Sequence, residues 1–161
     1  RVKVRILMLV AALAAASASA EDVPFKGRTL EVDTGQEAKP ILKVDGARYV
    51  VPGSREQLVA KARACLAAQE GVSVEAVDAE QGRLQATLLT GFRASFANQT
   101  LRTKLAMEVG DGYFQATESS LELAQTDGSG YVALGQSAGL WEKALDALVK
   151  HEDALIDCMY R

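Results

Sequence analysis

The sequence predicts a single α+β domain: an antiparallel twisted sheet of about five strands with two helices, in the order β-α-β-β-β-β-α. Two observations carry this prediction. Residues 54–69 and 140–159 place apolar side chains at helical spacing. Between them, residues 72–124 contain alternating apolar and polar runs separated by glycine turns, which is typical of antiparallel strands. The chain of 161 residues suits one domain with a real hydrophobic core.

The first helix is predicted over Ser54 to Gln69. Ser54 can cap its N-terminus, and Gln57, three residues later, completes a capping-box pattern. Gly71 is placed to end the helix. The apolar residues at helical spacing are Leu58, Val59, Ala62, Cys65 and Leu66. The helix therefore has one apolar face that can close a core.

The second helix is predicted from about Leu140 to Met159. Its apolar stripe consists of Trp141, Ala144, Leu145, Leu148, Leu155, Ile156 and Met159. The charged residues Lys143, Lys150 and Glu152 lie mostly on the opposite side. We expect this helix to pack beside the first one on the sheet.

The two cysteines lie one on each predicted helix, at Cys65 and Cys158. In an exported chain, a pair without a third partner is most simply a disulfide. It would close a loop of roughly ninety residues and stabilise the fold by on the order of 4 kcal/mol in the chain-entropy model. The alternatives are two buried free thiols or a redox pair, although no Cys-x-x-Cys motif is present.

The strand from Leu101 to Val109 gives the clearest amphipathic pattern of the sheet. One face carries Leu101, Leu105, Met107 and Val109. The other face carries Arg102, Lys104 and Glu108, which we predict as a possible interaction face because it faces away from the helices. In the next strand the apolar parity changes, and a bulge near Ser119–Ser120 would reconcile its two halves.

A hairpin is predicted over Ile41 to Val51, where Asp45-Gly46 joins two β-prone runs. The segment before it, 21–40, is predicted to be loosely ordered, since chain termini commonly are. The domain is accordingly placed at 41–161.

Residues 1–20 have the pattern of a cleavable signal peptide. Arg1, Lys3 and Arg5 precede a short apolar run, and Ala18-Ser19-Ala20 supplies the small residues that a signal peptidase reads. The alternative is a transmembrane anchor, but the apolar run is short for a bilayer. We expect cleavage after Ala20, a periplasmic or secreted protein, and no membrane span in the mature chain.

The expected mature chain is acidic. Without Arg1, Lys3 and Arg5, the 18 basic residues fall to 15 against 21 acidic ones, a net charge of −6. Few aromatic residues accompany this charge. Nucleic-acid binding needs a basic surface, so we predict no nucleic-acid partner.

Catalytic and metal-binding patterns are weak in this sequence. His151 is the only histidine and lies among charged helix residues, so it is predicted to be a surface residue. A zinc site needs several His or Cys ligands, and a disulfide would use both cysteines. We predict no catalytic, metal or cofactor-binding residue and no cofactor. The carboxylates Asp78, Glu80 and Asp111 leave open a small hydrolase.

The chain from about Val44 to Arg161 resembles a bacterial exported family of unknown function described as having a TATA-binding-protein-like fold. Three features carry the resemblance: the strand ARYVV entering Pro52 to Leu58, the turn Glu80-Gln81-Gly82 before a long strand, and the polar alternating strands 101–109 and 113–124. The resemblance implies a curved antiparallel sheet with two helices packed on one face. It implies no catalytic residues and no DNA binding.

Three functions are compatible with these patterns. The leading hypothesis is an exported, non-catalytic binding or protein-interaction module of the periplasm or cell envelope, with an unknown protein or a small apolar ligand as partner. The second is a small exported hydrolase that uses carboxylates such as Asp78, Glu80 and Asp111. The third is a structural or inhibitory domain whose partner covers an edge strand.

Overall fold

The computed structural model describes residues 19–137 and 139–161, and within these ranges nine strands form one antiparallel sheet that carries two helices. The predicted signal peptide lies outside the described residues except for its last two positions. In chain order the elements are β1 (Ala20–Phe25), β2 (Arg28–Asp33), β3 (Ile41–Asp45), β4 (Tyr49–Val50), α1 (Arg55–Ala67), β5 (Val72–Asp78), β6 (Arg83–Ala94), β7 (Ala97–Gly110), β8 (Tyr113–Ala124), β9 (Tyr131–Ala133) and α2 (Trp141–Tyr160).

The strands follow the order β1-β2-β3-β8-β7-β6-β5, and the short strands β4 and β9 pair with β8. The α+β class and the antiparallel sheet are as predicted, but the number of about five strands is too low. The prediction of a loosely ordered segment at 21–40 is also wrong for the described chain. β1 and β2 form a hairpin there, and Leu30 and Val32 of β2 are buried in the core.

The predicted hairpin over Ile41 to Val51 does not form. Both β3 and β4 pair with β8 instead, so the two short strands follow one another along the same side of β8. Gly46 allows the backbone to approach β8 closely and does not form a turn. Its amide donates to the carbonyl oxygen of Ala116 at 2.9 Å. A side chain at Gly46 would place its Cβ 2.8 Å from that oxygen. The glycine of Asp45-Gly46 is therefore needed for the close approach to Ala116 and not for a hairpin turn.

Helix α1 begins with the predicted capping box. The backbone amide of Gln57 donates to the Ser54 hydroxyl, and the amide of Ser54 donates to the Gln57 side chain. The predicted apolar stripe of α1 is buried. The structure bonds Cys65 of α1 to Cys158 of α2 with the α-carbons 5.8 Å apart, which is the pairing that the sequence predicts.

The sheet curves around α2. Arg28 of β2 and Thr90 of β6 both bond side chains of this helix, although three strands separate β2 from β6. The core fills the space between the helices and the inner face of the sheet, where the predicted Leu101, Leu105, Met107 and Val109 are all buried. The bulge predicted near Ser119–Ser120 is present in β8. Ser119 pairs with Lys104 and Glu122 pairs with Arg102, so β8 has one more residue than β7 between these two pairs.

Candidate functional site

The sheet face away from the helices, here called the open face, carries a ladder of polar side chains across β6, β7 and β8. The strand registers align them in three rows. The rows are Arg83, Glu108 and Gln115; then Gln85, Ala106 and Thr117; then Thr87, Lys104 and Ser119. Because successive residues of a strand point to opposite faces, every second residue of each strand contributes to this ladder.

Ala106 is the one small side chain in the ladder, and it leaves a depression at its centre. A groove of about 450 Å³ is lined by Arg83, Gln85, Ala106, Glu108, Gln115 and Thr117. A second groove of about 300 Å³ adjoins it and shares Gln85 and Ala106, with Glu75, Lys104 and Ser119 on its far side. We call the two together the Ala106 channel. Its walls combine amide, hydroxyl and charged groups with aliphatic surface, so it can both hydrogen-bond a ligand and cover apolar atoms.

Charged groups on the open face pair with each other across strands. Lys104 donates to the Glu75 carboxylate at 3.0 Å and to the Thr87 hydroxyl at 2.9 Å. The Thr87 hydroxyl also donates to Glu75, and these hydrogen bonds hold the pKa of the Glu75 carboxyl below its ordinary value. The groups remain exposed, so the pairs can exchange partners at little cost.

The three residues predicted as an interaction face all lie on the open face, but they do not form one site. Lys104 and Glu108 line the two grooves of the Ala106 channel. Arg102 lies one row further along β7, where it pairs with Glu122 at 3.4 Å and stacks on the Tyr131 ring at 3.6 Å. The sequence pattern misses Gln85 and Ala106, because their place beside Lys104 and Glu108 depends on the register between strands.

Two of the three carboxylates considered for a hydrolase, Asp78 and Asp111, accept hydrogen bonds from backbone amides at a turn and at the start of α1. Asp78 accepts from the amide of Gln81, and Asp111 accepts from the amide of Arg55 at 2.7 Å. Glu80 and Asp111 line one shallow groove at the start of α1, which Asp78 does not line. Within residues 19–137 and 139–161, no group of three or more metal-ligating side chains is present.

His151 is half-buried rather than a surface residue as predicted. Its Nδ1 lies 3.0 Å from the Thr90 hydroxyl, and burial lowers the pKa of the imidazole. The pair lines a groove of about 580 Å³ with Glu70 and Thr100. Thr90 is only 5% exposed, so its hydroxyl is poorly placed to attack a substrate. The pair therefore links α2 to β6, which no pattern around His151 indicates.

A cluster of charged side chains lies buried between the sheet and α2. Arg28 donates to Glu152 at 3.3 Å and to Asp153 at 3.1 Å, and the Arg28 and Glu152 side chains are 5% and 3% exposed. Glu118 of β8 is fully buried nearby and accepts from the Thr103 hydroxyl at 2.8 Å. Its other oxygen, Oε2, has no hydrogen-bond partner among the described residues.

Two carboxyl groups thus share the field of one arginine in this cluster. Burial, together with the neighbouring Glu152, raises the pKa of Glu118 well above its ordinary value. Burial also raises the pKa of Glu152 to about 7, although Arg28 opposes the shift. Neither Glu118 nor Glu152 lines any of the grooves described above. The cluster bears on the stability of the fold, since ionising either carboxyl group places a charge in the interior.

Two solved structures share this architecture at low sequence identity. One is a TBP-like protein from Parabacteroides distasonis, which matches over 85% of this chain and 96% of its own, with a TM-score of 0.59 and 8% identity. The chain has a TBP-like fold. The other is a DUF4468 family protein from Bacteroides ovatus, which covers 86% of this chain and 90% of its own, with a TM-score of 0.53 and 7% identity.

The fold implied by the sequence resemblance is thus confirmed. No family model and no curated protein matches the sequence. Similarity at this level concerns the arrangement of strands and helices, and a TBP-like fold is not evidence of nucleic-acid binding. Neither of the helices in the described residues has the length and apolarity to cross a bilayer.

Proposed function

We propose that this protein is an exported, non-catalytic binding module of the periplasm or cell envelope whose open face docks a partner protein. The Ala106 channel is the observation that carries this proposal. The polar ladder brings acidic, basic and amide groups to one surface, and the alanine at its centre leaves room for part of a partner. A lining that mixes polar groups with aliphatic surface suits a polypeptide, which presents both kinds of group, better than a small apolar ligand.

Export is supported by the pattern of residues 1–20 and by the Cys65–Cys158 disulfide, a bond that persists in oxidising compartments. Cleavage after Ala20 would leave Glu21 at the N-terminus, so that the mature chain begins within β1. N-terminal sequencing of the exported protein checks this expectation. A mature protein that still carries the residues before Ala20 contradicts it.

Docking on the open face is tested by filling the Ala106 channel. Ala106→Arg places a long side chain in the channel, whereas Ala64→Arg makes the same change on the exposed surface of α1. Both positions are exposed, so both variants should fold with nearly wild-type thermal stability. We expect Ala106→Arg to abolish co-purification of the partner from envelope extracts and Ala64→Arg to retain it.

Charge reversal gives a second, independent measure. Arg102→Glu combined with Lys104→Glu changes the charge of the open face on both sides of the β7–β8 bulge. We expect this pair to abolish partner binding while thermal stability stays nearly unchanged. If Ala106→Arg and the double variant both keep every partner of the wild type, the open face is ordinary solvated surface.

A further inference from the structure

The tip of the β6–β7 hairpin presents an aromatic ring to solvent. Ala94 pairs with Ala97, so Ser95 and Phe96 form a two-residue turn, with φ of +52° and +61°. Positive φ at both positions is the type I′ geometry, which normally takes Asn-Gly. Phe96 is 98% exposed, whereas Ala94 is 2% exposed. The turn thus holds a bulky residue in an unfavourable backbone region and gives its ring no contact in the fold.

A basic groove lies beside this tip. It lies between α2, which contributes Lys143 and Lys150, and the end of β6, which contributes Gly91, Phe92 and Arg93. Arg93 is three residues from Phe96, so the α-carbons of the two residues lie within about 10 Å of each other at the usual rise of a strand. The basic groove and the exposed ring therefore lie at the same end of the molecule.

The acidic groups near the groove do not cancel its charge. Asp146 also lines it but forms an ion pair with Lys26 of the β1–β2 turn. Glu142 is exposed beside Lys143. The basic side chains here are Lys26, Arg93, Lys143 and Lys150, and the acidic ones are Glu142 and Asp146. The expected mature chain as a whole carries a net charge of −6. This local excess of positive charge runs against the charge of the rest of the molecule.

We propose that the hairpin tip and the basic groove together dock the protein peripherally on an anionic phospholipid surface. Phe96 enters the interfacial region of the bilayer, and Arg93, Lys143 and Lys150 face the headgroup phosphates. Peripheral binding of useful strength takes two signals, an apolar insertion and a basic patch, and both are present here. A ring on a projecting turn suits a soft planar surface, which needs no preformed pocket. Membrane docking would leave the open face of the sheet available to its protein partner.

Vesicle sedimentation tests the proposal with the mature disulfide-bonded protein. We expect binding to phosphatidylcholine vesicles that contain phosphatidylglycerol and little binding to pure phosphatidylcholine, and we expect added salt to weaken it. Phe96→Ser should weaken binding about tenfold, from the burial energy of a phenylalanine ring. Lys143→Gln with Lys150→Gln should weaken it by a factor of about 30, at the usual contribution of a basic residue near an anionic surface.

Matched variants separate this site from general surface properties. Val50→Ser removes an aliphatic side chain that is 75% exposed near the opposite end of β7, and Arg48→Gln with Arg63→Gln removes two exposed charges elsewhere. Both should bind vesicles as the wild type does. In Phe96→Trp, the emission of the new tryptophan should shift to the blue on vesicles, beyond the signal of Trp141 in the wild type.

Three outcomes would overturn the proposal. The first is a wild type that does not bind anionic vesicles, which is also the result expected if Phe96 binds only a protein. The second is a Phe96→Ser variant that binds as tightly as the wild type. The third is an equal loss of binding in the control variants, which would show that no defined site is involved. Loss of the open-face partner with intact vesicle binding would contradict the proposed function alone.

Discussion

The open face and the buried cluster use the same kinds of side chain with opposite physical results. On the open face, Lys104 and Thr87 donate to an exposed Glu75, and the pKa of that carboxyl falls. Under α2, Arg28 donates to a buried Glu152, yet the pKa of that carboxyl rises to about 7. The difference is desolvation, which exceeds the attraction of a nearby cation when both groups leave water. Charged pairs on the surface can therefore exchange partners with a bound protein at little cost, whereas buried pairs change the free energy of unfolding.

Arg28→Met should give the largest effect that this comparison predicts. It removes the cation from Glu152 and Glu118 and leaves two buried carboxyl groups without it, at a cost of about 3–5 kcal/mol in the free energy of unfolding. Chemical denaturation at pH 8, where Glu152 is mostly ionised in the wild type, measures this. The double variant Arg28→Met with Glu152→Met should recover most of the loss, because it removes the uncompensated charge. A single variant as stable as the wild type would contradict a role for the cluster.

The disulfide should rank next. Cys65→Ser with Cys158→Ser removes the covalent link between α1 and α2, the helix that carries Glu152, and should lower stability by roughly 2–4 kcal/mol. Thiol labelling of the unfolded, unreduced wild type should find no free thiol. Two reactive thiols in that experiment would show that the bond is absent in the isolated protein.

The sequence predicts the elements of this fold better than their pairing. Capping and helical spacing locate α1 and α2 because these signals are local, and the Cys65–Cys158 bond follows from one cysteine on each helix in a chain expected to be exported. The role of Gly46 is not predictable in this way, because it depends on the carbonyl of Ala116, seventy residues away. Long-range pairing also decides that β1 and β2 join the sheet.

The same limit applies to the candidate sites. Alternation in β7 predicts that Lys104 and Glu108 face away from the helices, but only the register with β6 places Gln85 beside Ala106. Glu118 stands in a polar stretch of β8 and looks exposed in the sequence. It is buried because its parity before the bulge matches Phe114 and Ala116, which lie in the core. Glu152 likewise falls on the polar side of the predicted α2 stripe and meets Arg28 only through the curvature of the sheet.

The pH dependence of stability sharpens the comparison further. Both Glu118 and Glu152 have a raised pKa in the folded state, so their contribution to stability is fully present below the ordinary value of 4.5 and is lost as the pH rises through each folded pKa, which for Glu152 is about 7. The half-buried His151 opposes this trend, because its lowered pKa favours the folded state as the pH rises through the ordinary imidazole value. Two raised carboxyl pKa values outweigh one lowered imidazole pKa, so the wild type should be less stable at pH 8 than at pH 5. Glu118→Gln cannot ionise, so it should remove the part of this loss that belongs to Glu118 and raise stability at pH 8 relative to the wild type.

Thermal unfolding at the two pH values distinguishes this effect from a general one. Glu118→Gln should differ little from the wild type at pH 5, where the carboxyl is already protonated. Glu108→Gln, the same change on the open face, should leave the pH dependence as it is. A wild type equally stable at both pH values, or an equal effect of the two substitutions, would contradict the burial argument.

The exposed pair should give the smallest effect. Lys104→Met removes the cation that donates to Glu75, just as Arg28→Met removes the donor to Glu152. Glu75 remains in water, so solvent replaces the lost partner and the free energy of unfolding should stay within measurement error of the wild-type value. The titration of Glu75, followed by NMR, should move toward the ordinary pKa, since Thr87 alone continues to donate. A loss of stability comparable to that of Arg28→Met would mean that the open face is covered in solution, and the contrast between the two regions would then fail.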